Sequence, residues 1–223
     1  MSAHFFHLLE ELRRRAARMA SLVEDMVQEA CEAVVDGDAS LAERVIARDA
    51  EVDREEVEVE GDVIRLLALY QPVGADLRLL CTILKANNDL ERIADCAVNL
   101  AERARYLEDR ASVAQRESLR HMGLLTRRML RGAIQAFVVA DVGVAKDTAG
   151  LDDRVDDLYE QIIKEIVAEG AGSGHAMAAS LDVLSVAKNL ERIADHATNI
   201  SEDVVFLATG RIVRHTGGEP DEP

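Results

Sequence analysis

Apolar residues fall at alternating spacings of three and four through most of this chain. Leu9, Leu12, Ala16, Met19, Val23, Met26, Ala30 and Ala33 form the first such series, the buried stripe of a long amphipathic helix. Gly37 stops it, and Ser40-Leu41-Ala42-Glu43 has the form of a capping box opening a second helix. Leu41, Val45, Val52, Val59, Val63, Leu66 and Tyr70 mark the apolar side of that helix, which Gln71-Pro72-Val73-Gly74 ends. A third helix is expected from about Asp76 to Leu107, with Leu80, Ile83, Leu90, Ala94, Ala97, Ala101 and Ala104 on one stripe.

The pattern then restarts. Leu119, Met122, Met129, Ala133 and Ala136 resemble the first seam, and Gly143 sits near the next break. Val144, Leu151, Val155, Leu158, Ile162 and Ile166 predict a single fifth helix, Gly170-Ala171-Gly172-Ser173-Gly174 a loop, and the residues from about Met177 to Ala208 a sixth helix. Met19, Met26, Asp38, Asp49, Val52, Asp53 and Val59 recur as Met122, Met129, Asp141, Asp152, Val155, Asp156 and Ile162, always 103 residues later, and the third helix recurs with an offset of 100. This is the signature of a duplicated three-helix unit. The expected architecture is all-α: six long antiparallel helices in two tandem three-helix bundles, over residues 1–108 and 109–210, with a disordered tail over 211–223.

Charge narrows the partners. With 42 acidic and 26 basic residues the formal charge is -16, which disfavours a nucleic-acid footprint or adhesion to anionic lipid and favours cations and basic surfaces. Cys31, Cys81 and Cys96 form no Cys-x-x-Cys pair, so neither a disulfide framework nor a zinc-thiolate site is expected and a reducing compartment fits. No apolar run has transmembrane length, and Met1 to Arg15 is amphipathic and charged rather than a signal peptide.

The candidate chemistry lies in paired acids. Leu90-Glu91-Arg92-Ile93-Ala94-Asp95 recurs as Leu190-Glu191-Arg192-Ile193-Ala194-Asp195, and the second helix of each copy carries a pair of its own, Asp49/Asp53 and Asp152/Asp156. Residues four apart share a helical face, with about 6 Å between Cβ atoms. Two such faces turned together surround a small volume with four carboxylates, which repel one another unless protons or cations intervene. Oxygen donors suit hard ions. The plain alternative is a pair of solvated helix faces. Asn88, Asn99 and Asn199 are candidates to support the acids from a second layer, and Arg92 and Arg192 to neutralise them or to pair at the surface. Glu-x-x-His is absent, against a ferritin-like di-iron oxidase, and there is neither a P-loop nor a nucleophile–base pattern.

Gln71-Pro72-Val73-Gly74-Ala75-Asp76-Leu77-Arg78, Asn88 through Asp95, Lys188 through Ile200 and Glu202 through Arg211 together resemble the PhoU family of phosphate-transport and phosphate-signalling regulators. The resemblance covers about His4 to His215. It implies two pseudo-twofold-related three-helix bundles, a cytoplasmic and dimeric protein, and metal clusters held by paired acids. Those acids map onto Asp49, Asp53, Glu91, Asp95, Asp152, Asp156, Glu191 and Asp195, with iron, zinc, manganese or magnesium as the ions. It further implies a non-enzymatic adaptor between the ATPase of the phosphate-specific ABC transporter and a phosphate-sensing histidine kinase, repressing the phosphate regulon when phosphate is plentiful. A metal-dependent hydrolase and a purely structural helical dimerisation module are the alternatives. Ala94 and Ala194 stand where many members have Gly, and the shorter arm of Asp49 leaves the geometry of the second-helix pair open.

Overall fold

A computed structural model describes residues 2–107, 112–169 and 174–213, and among them every regular element is a helix. α1 (Ala3–Asp36) opens on Ser2, whose hydroxyl accepts from the Phe5 N–H at 3.2 Å, and closes on left-handed Gly37. α2 (Ala39–Tyr70) is capped by Asp38 and not by Ser40. The Asp38 carboxylate accepts from the backbone of Ser40 at 2.8 Å and of Leu41 at 3.1 Å, and takes the Ser40 hydroxyl as well. A carboxylate in extended backbone just before the helix outcompetes the hydroxyl for the open N–H groups. Asp141 does the same for the equivalent helix of the second half, accepting from Val144. α3 spans Gly74–Leu107, two residues earlier than the periodicity suggests, and α4 spans Val113–Val139 behind a capping box of Ser112 and Gln115.

The expected fifth helix is broken in two. α5 (Val142–Ala149) ends at Gly150, and α6 (Asp152–Glu169) begins after Leu151. Three-residue hydrogen bonds from Leu151 to Thr148 and from Arg154 to Leu151 tighten the join. The equivalent of Gly150 is Ala47, inside the unbroken α2. The cause reaches beyond one weak helix former. A Cβ on Gly132 of α4 would lie 2.3 Å from Thr148 Oγ1, so α4 and α5 touch almost backbone to side chain. In the first half the place of Gly132 is taken by Glu29, whose carboxylate reaches Arg44 at 3.6 Å and Arg48 at 3.4 Å. α7 runs Gly174–Thr209, starting ahead of the expected Met177. The glycine-rich loop lies outside the described residues except for Gly174, and so do the linker 108–111 and the tail 214–223.

One apolar core runs through both halves. Met19, Met26, Leu90 and Ile93 from the first half and Met122, Met129, Leu190 and Ile193 from the second are all buried within it. α3 against α7 is the most extensive helix pairing, and α1 also meets α4. The α3–α7 seam is polar at defined places. Lys85 Nζ meets Asp203 Oδ1 at 3.0 Å, and Arg103 Nη1 meets Asp182 Oδ1 at 3.3 Å. Between them buried Asp89 receives His196 Nδ1 at 2.8 Å and Asn199 Nδ2 at 3.4 Å. No helix among the described residues is long and apolar enough to cross a membrane.

Candidate metal centres

The buried stripe of α3, through Leu90, Ile93, Ala94 and Ala97, leaves Glu91 and Asp95 at its edge. The buried stripe of α2, through Val45, Val52 and Val59, leaves Asp49, Asp53, Glu56 and Glu60 on the flank beside α3. The two edges meet. Loss of hydration raises the Asp49 carboxyl above its ordinary range, and the charges of Asp53 and Asp95 push the same way. Burial likewise raises Glu91, followed by Asp95, while Arg92 opposes; Glu56 and Asp53 add further repulsion. All four acids expected of the first half therefore share one neighbourhood, and Glu56, itself raised by burial and by Glu60 and Asp53, belongs with them.

The second half repeats the arrangement with α6 and α7. Burial raises Asp152, against a lowering hydrogen bond from Thr198. Asp156 is raised by burial, then by Asp152 and Glu191. Asp195 is pushed up to about 6, first by loss of hydration and then by Glu191, Asp152 and Asp156. One side of Asp195 remains open to solvent, but its carboxyl looks onto three other acids. The second expected quartet is thus also brought together.

The compensating groups differ. Arg92 bridges its own pair, with Nε 3.2 Å from Glu91 and Nη1 3.2 Å from Asp95. In the second half Lys188 Nζ lies 2.6 and 2.7 Å from the two oxygens of Glu191, and the Thr198 hydroxyl donates to Asp152 at 3.1 Å. Neither Lys188 nor Thr198 stands out in the sequence until the copies are superposed, where Asn88 and Val98 take their places. Asn87 is also unforeseen: its amide donates to the Glu56 carbonyl at 2.9 Å, while its buried Oδ1 has no partner. Of the candidate supporting asparagines, Asn199 turns to Asp89, and Asn88 and Asn99 are exposed.

The donor set is oxygen throughout and carries excess negative charge, which fits a hard cation. Among the described residues no three His, Cys, Asp or Glu side chains converge as a ready ligand shell. Arg92, Lys188 and Thr198 already engage Glu91, Asp95, Glu191 and Asp152, so a cation would displace or share these contacts. Cys31 and Cys96 offer no competing thiolate, since burial pushes their thiols up to about 12 and about 11.

The family model of the PhoU domain matches this chain twice, over residues 16–104 and 119–204. A Pseudomonas putida protein named phosphate-specific transport system accessory protein PhoU homolog is 37% identical over 97% of this chain and 85% of its own length. A protein of the same name from Aquifex aeolicus is 36% identical over 94% of this chain and 95% of its own. The crystal structure of PhoU from Pseudomonas aeruginosa superposes with a TM-score of 0.89 at 35% identity, over 93% of this chain and 100% of that one. That of the phosphate transport system regulatory protein PhoU from Streptococcus pneumoniae gives 0.85 at 30% identity, over 94% and 99%. With two copies of the domain, the first folded as three helices and the second as four, and each gathering its acids at the same edge, the chain belongs to the PhoU family.

Proposed function

We propose that this protein is a regulatory accessory of a phosphate-specific transport system, acting by binding and not by catalysis. The observation that carries this reading is similarity over nearly the full length to relatives bearing that name. In the finer reading it is a cytoplasmic homodimer that links the transporter ATPase to a sensor histidine kinase and holds the phosphate regulon off when phosphate is plentiful. A reporter for that regulon tests it. Deleting the gene should derepress the reporter in high phosphate and plasmid copies should restore control; a reporter indifferent to the deletion overturns the role.

The two acid clusters support a cation centre in each half, held by Asp49, Asp53, Glu91 and Asp95 and by Asp152, Asp156, Glu191 and Asp195. A bound ion supplies positive charge that removes the repulsion among these carboxyls. Binding to the folded state alone then raises stability. Iron, zinc, manganese and magnesium are the ions to assay. Native purification followed by elemental analysis should find metal, and a chelator should lower Tm by several degrees. Metal-free protein whose Tm is unmoved by each of these ions overturns the cation reading while leaving the regulatory one standing.

A further inference from the structure

The outer face of α2 carries a second heptad series that the fold leaves uncovered. Ala47, Ala50, Val57, Gly61, Ile64 and Ala68 follow spacings of three and four, with Arg54 at the one remaining position, and every one is exposed. Val57 and Ile64 are 64% and 53% exposed. The helix meets α1 and α3 through its other side, where Val45, Val52, Val59 and Val63 are buried.

Two observations set this face apart from ordinary surface. Glycine is a poor residue for a helix interior, yet Gly61 sits mid-helix where an added Cβ would meet nothing within 4 Å. Nothing inside the chain requires its missing side chain. The duplication supplies an internal control as well. The equivalents of Ala50, Arg54, Val57 and Gly61 are Asp153, Asp157, Glu160 and Lys164, and the last two form an ion pair at 3.1 Å. The second half therefore carries charge at four of these positions, while Val167, the equivalent of Ile64, stays apolar and exposed, so the full apolar series is not demanded by folding.

The flanks indicate what covers it. Glu51 and Glu58 border the series on one side, followed by Arg65, and Asp53 and Glu60 on the other. In heptad packing the flanking charges choose the partner. Four of these five flanking charges are acidic, so a second copy of this chain would set mostly acidic flank against acidic flank. We propose that this face docks an amphipathic helix of a basic partner protein, seating a large apolar side chain over Gly61 between Val57 and Ile64, with Lys or Arg along both borders. The inference does not require bound cations, although Asp53 belongs both to this border and to the first acid cluster.

The test titrates a synthetic helix of about three heptads, with Leu at the seam positions and Lys on the flanks, into the full chain. A peptide of the same composition with scrambled order is the control. The paired variant Val57→Glu/Gly61→Lys copies the α6 ion pair, leaves net charge unchanged, places its longer side chain in open space and replaces a helix-interior glycine, so its Tm should equal or exceed that of the parent. The ordered peptide should bind the parent at least tenfold tighter than the scrambled one, and the paired variant should lose at least tenfold. Equal binding of the two peptides, or to the two proteins, overturns the proposal. So does a dimer in sedimentation that the paired variant dissociates, because the occupant would then be a second copy.

Discussion

The acid cluster between α2 and α3 and the one between α6 and α7 are built from the same four backbone positions but compensated by different side chains. In the first, Arg92 lies across Glu91 and Asp95 and ties them to each other. In the second, the equivalent Arg192 forms no ion pair among the described residues; Lys188 holds Glu191 from one turn earlier and Thr198 holds Asp152 across the helix gap. Asp195 is left facing three acids and, with burial as the first cause, is pushed up to about 6. A motif thus sets where carboxylates stand, while burial first, and then charged or hydroxyl neighbours within and beside the motif, set how strongly they resist being charged.

The comparison breaks first at the core. Leu90 and Leu190 are 1% and 2% exposed in the shared cluster, so truncating either to Ala should cost about 3 kcal/mol. Chemical denaturation should give the two variants costs within about 1 kcal/mol of each other, and a wider gap would show that the halves do not share one core symmetrically. Next comes the α4–α5 contact. Gly132→Ala drives a methyl into Thr148 and should cost about 2 kcal/mol. Glu29→Ala, at the equivalent place, removes ion pairs that are partly open to water and should cost about 1 kcal/mol. The reverse order would mean that close packing is not what sets α5 apart.

A smaller effect separates the acid clusters themselves. The folded state holds a proton on Asp195 more tightly than the unfolded chain does, because its carboxyl is raised to about 6. The associated stability is present below about pH 4 and is lost as pH rises through about 6. A two-unit shift corresponds to about 3 kcal/mol, which solvent screening of the exposed Asp195 reduces to about 1 kcal/mol. In chelator at pH 7, Asp195→Asn should therefore raise stability by about that amount and flatten the fall between pH 4 and 7. Asp95→Asn should do less, because Arg92 already compensates it. Thermal melts across pH decide the matter. The smallest change is Gly150→Ala. Gly150 is right-handed, and a Cβ there makes ordinary contacts at 3.5 and 3.7 Å. The substitution should stabilise by about 0.5 kcal/mol, detectable as a small rise in Tm.

Most of the architecture is legible in the sequence because helix periodicity is a local signal and the duplication reads it out twice. The break at Gly150 is not, since Val144, Leu151 and Val155 keep their helical spacing straight through it. The break coincides with the close approach of Gly132 to Thr148, a contact between helices that no single stretch records. The candidate site divides in the same way. Spacing of four brings out each acid pair, and the helix packing sets the two pairs of each half near one another. Lys188 and Thr198 become visible only when one copy is set against the other, because their meaning lies in replacing Asn88 and Val98. The regulatory role comes from family resemblance; no residue spacing encodes it.

The polar seam between α3 and α7 bears on how a duplicated chain avoids pairing with the wrong half. Lys85 and Arg103 both lie on α3, and their partners Asp203 and Asp182 both lie on α7. If α3 of one chain met α3 of another in the same register, Lys85 would face Arg103. If α7 met α7, Asp182 would face Asp203. Buried Asp89 would lose His196 and Asn199 and meet Cys96 and Asn99 in their place. Like charges facing each other are disfavoured, most of all at the buried Asp182 and Asp203. The two copies have thus become a lock and its key, so that α3 paired with α3, or α7 with α7, would set like charge against like.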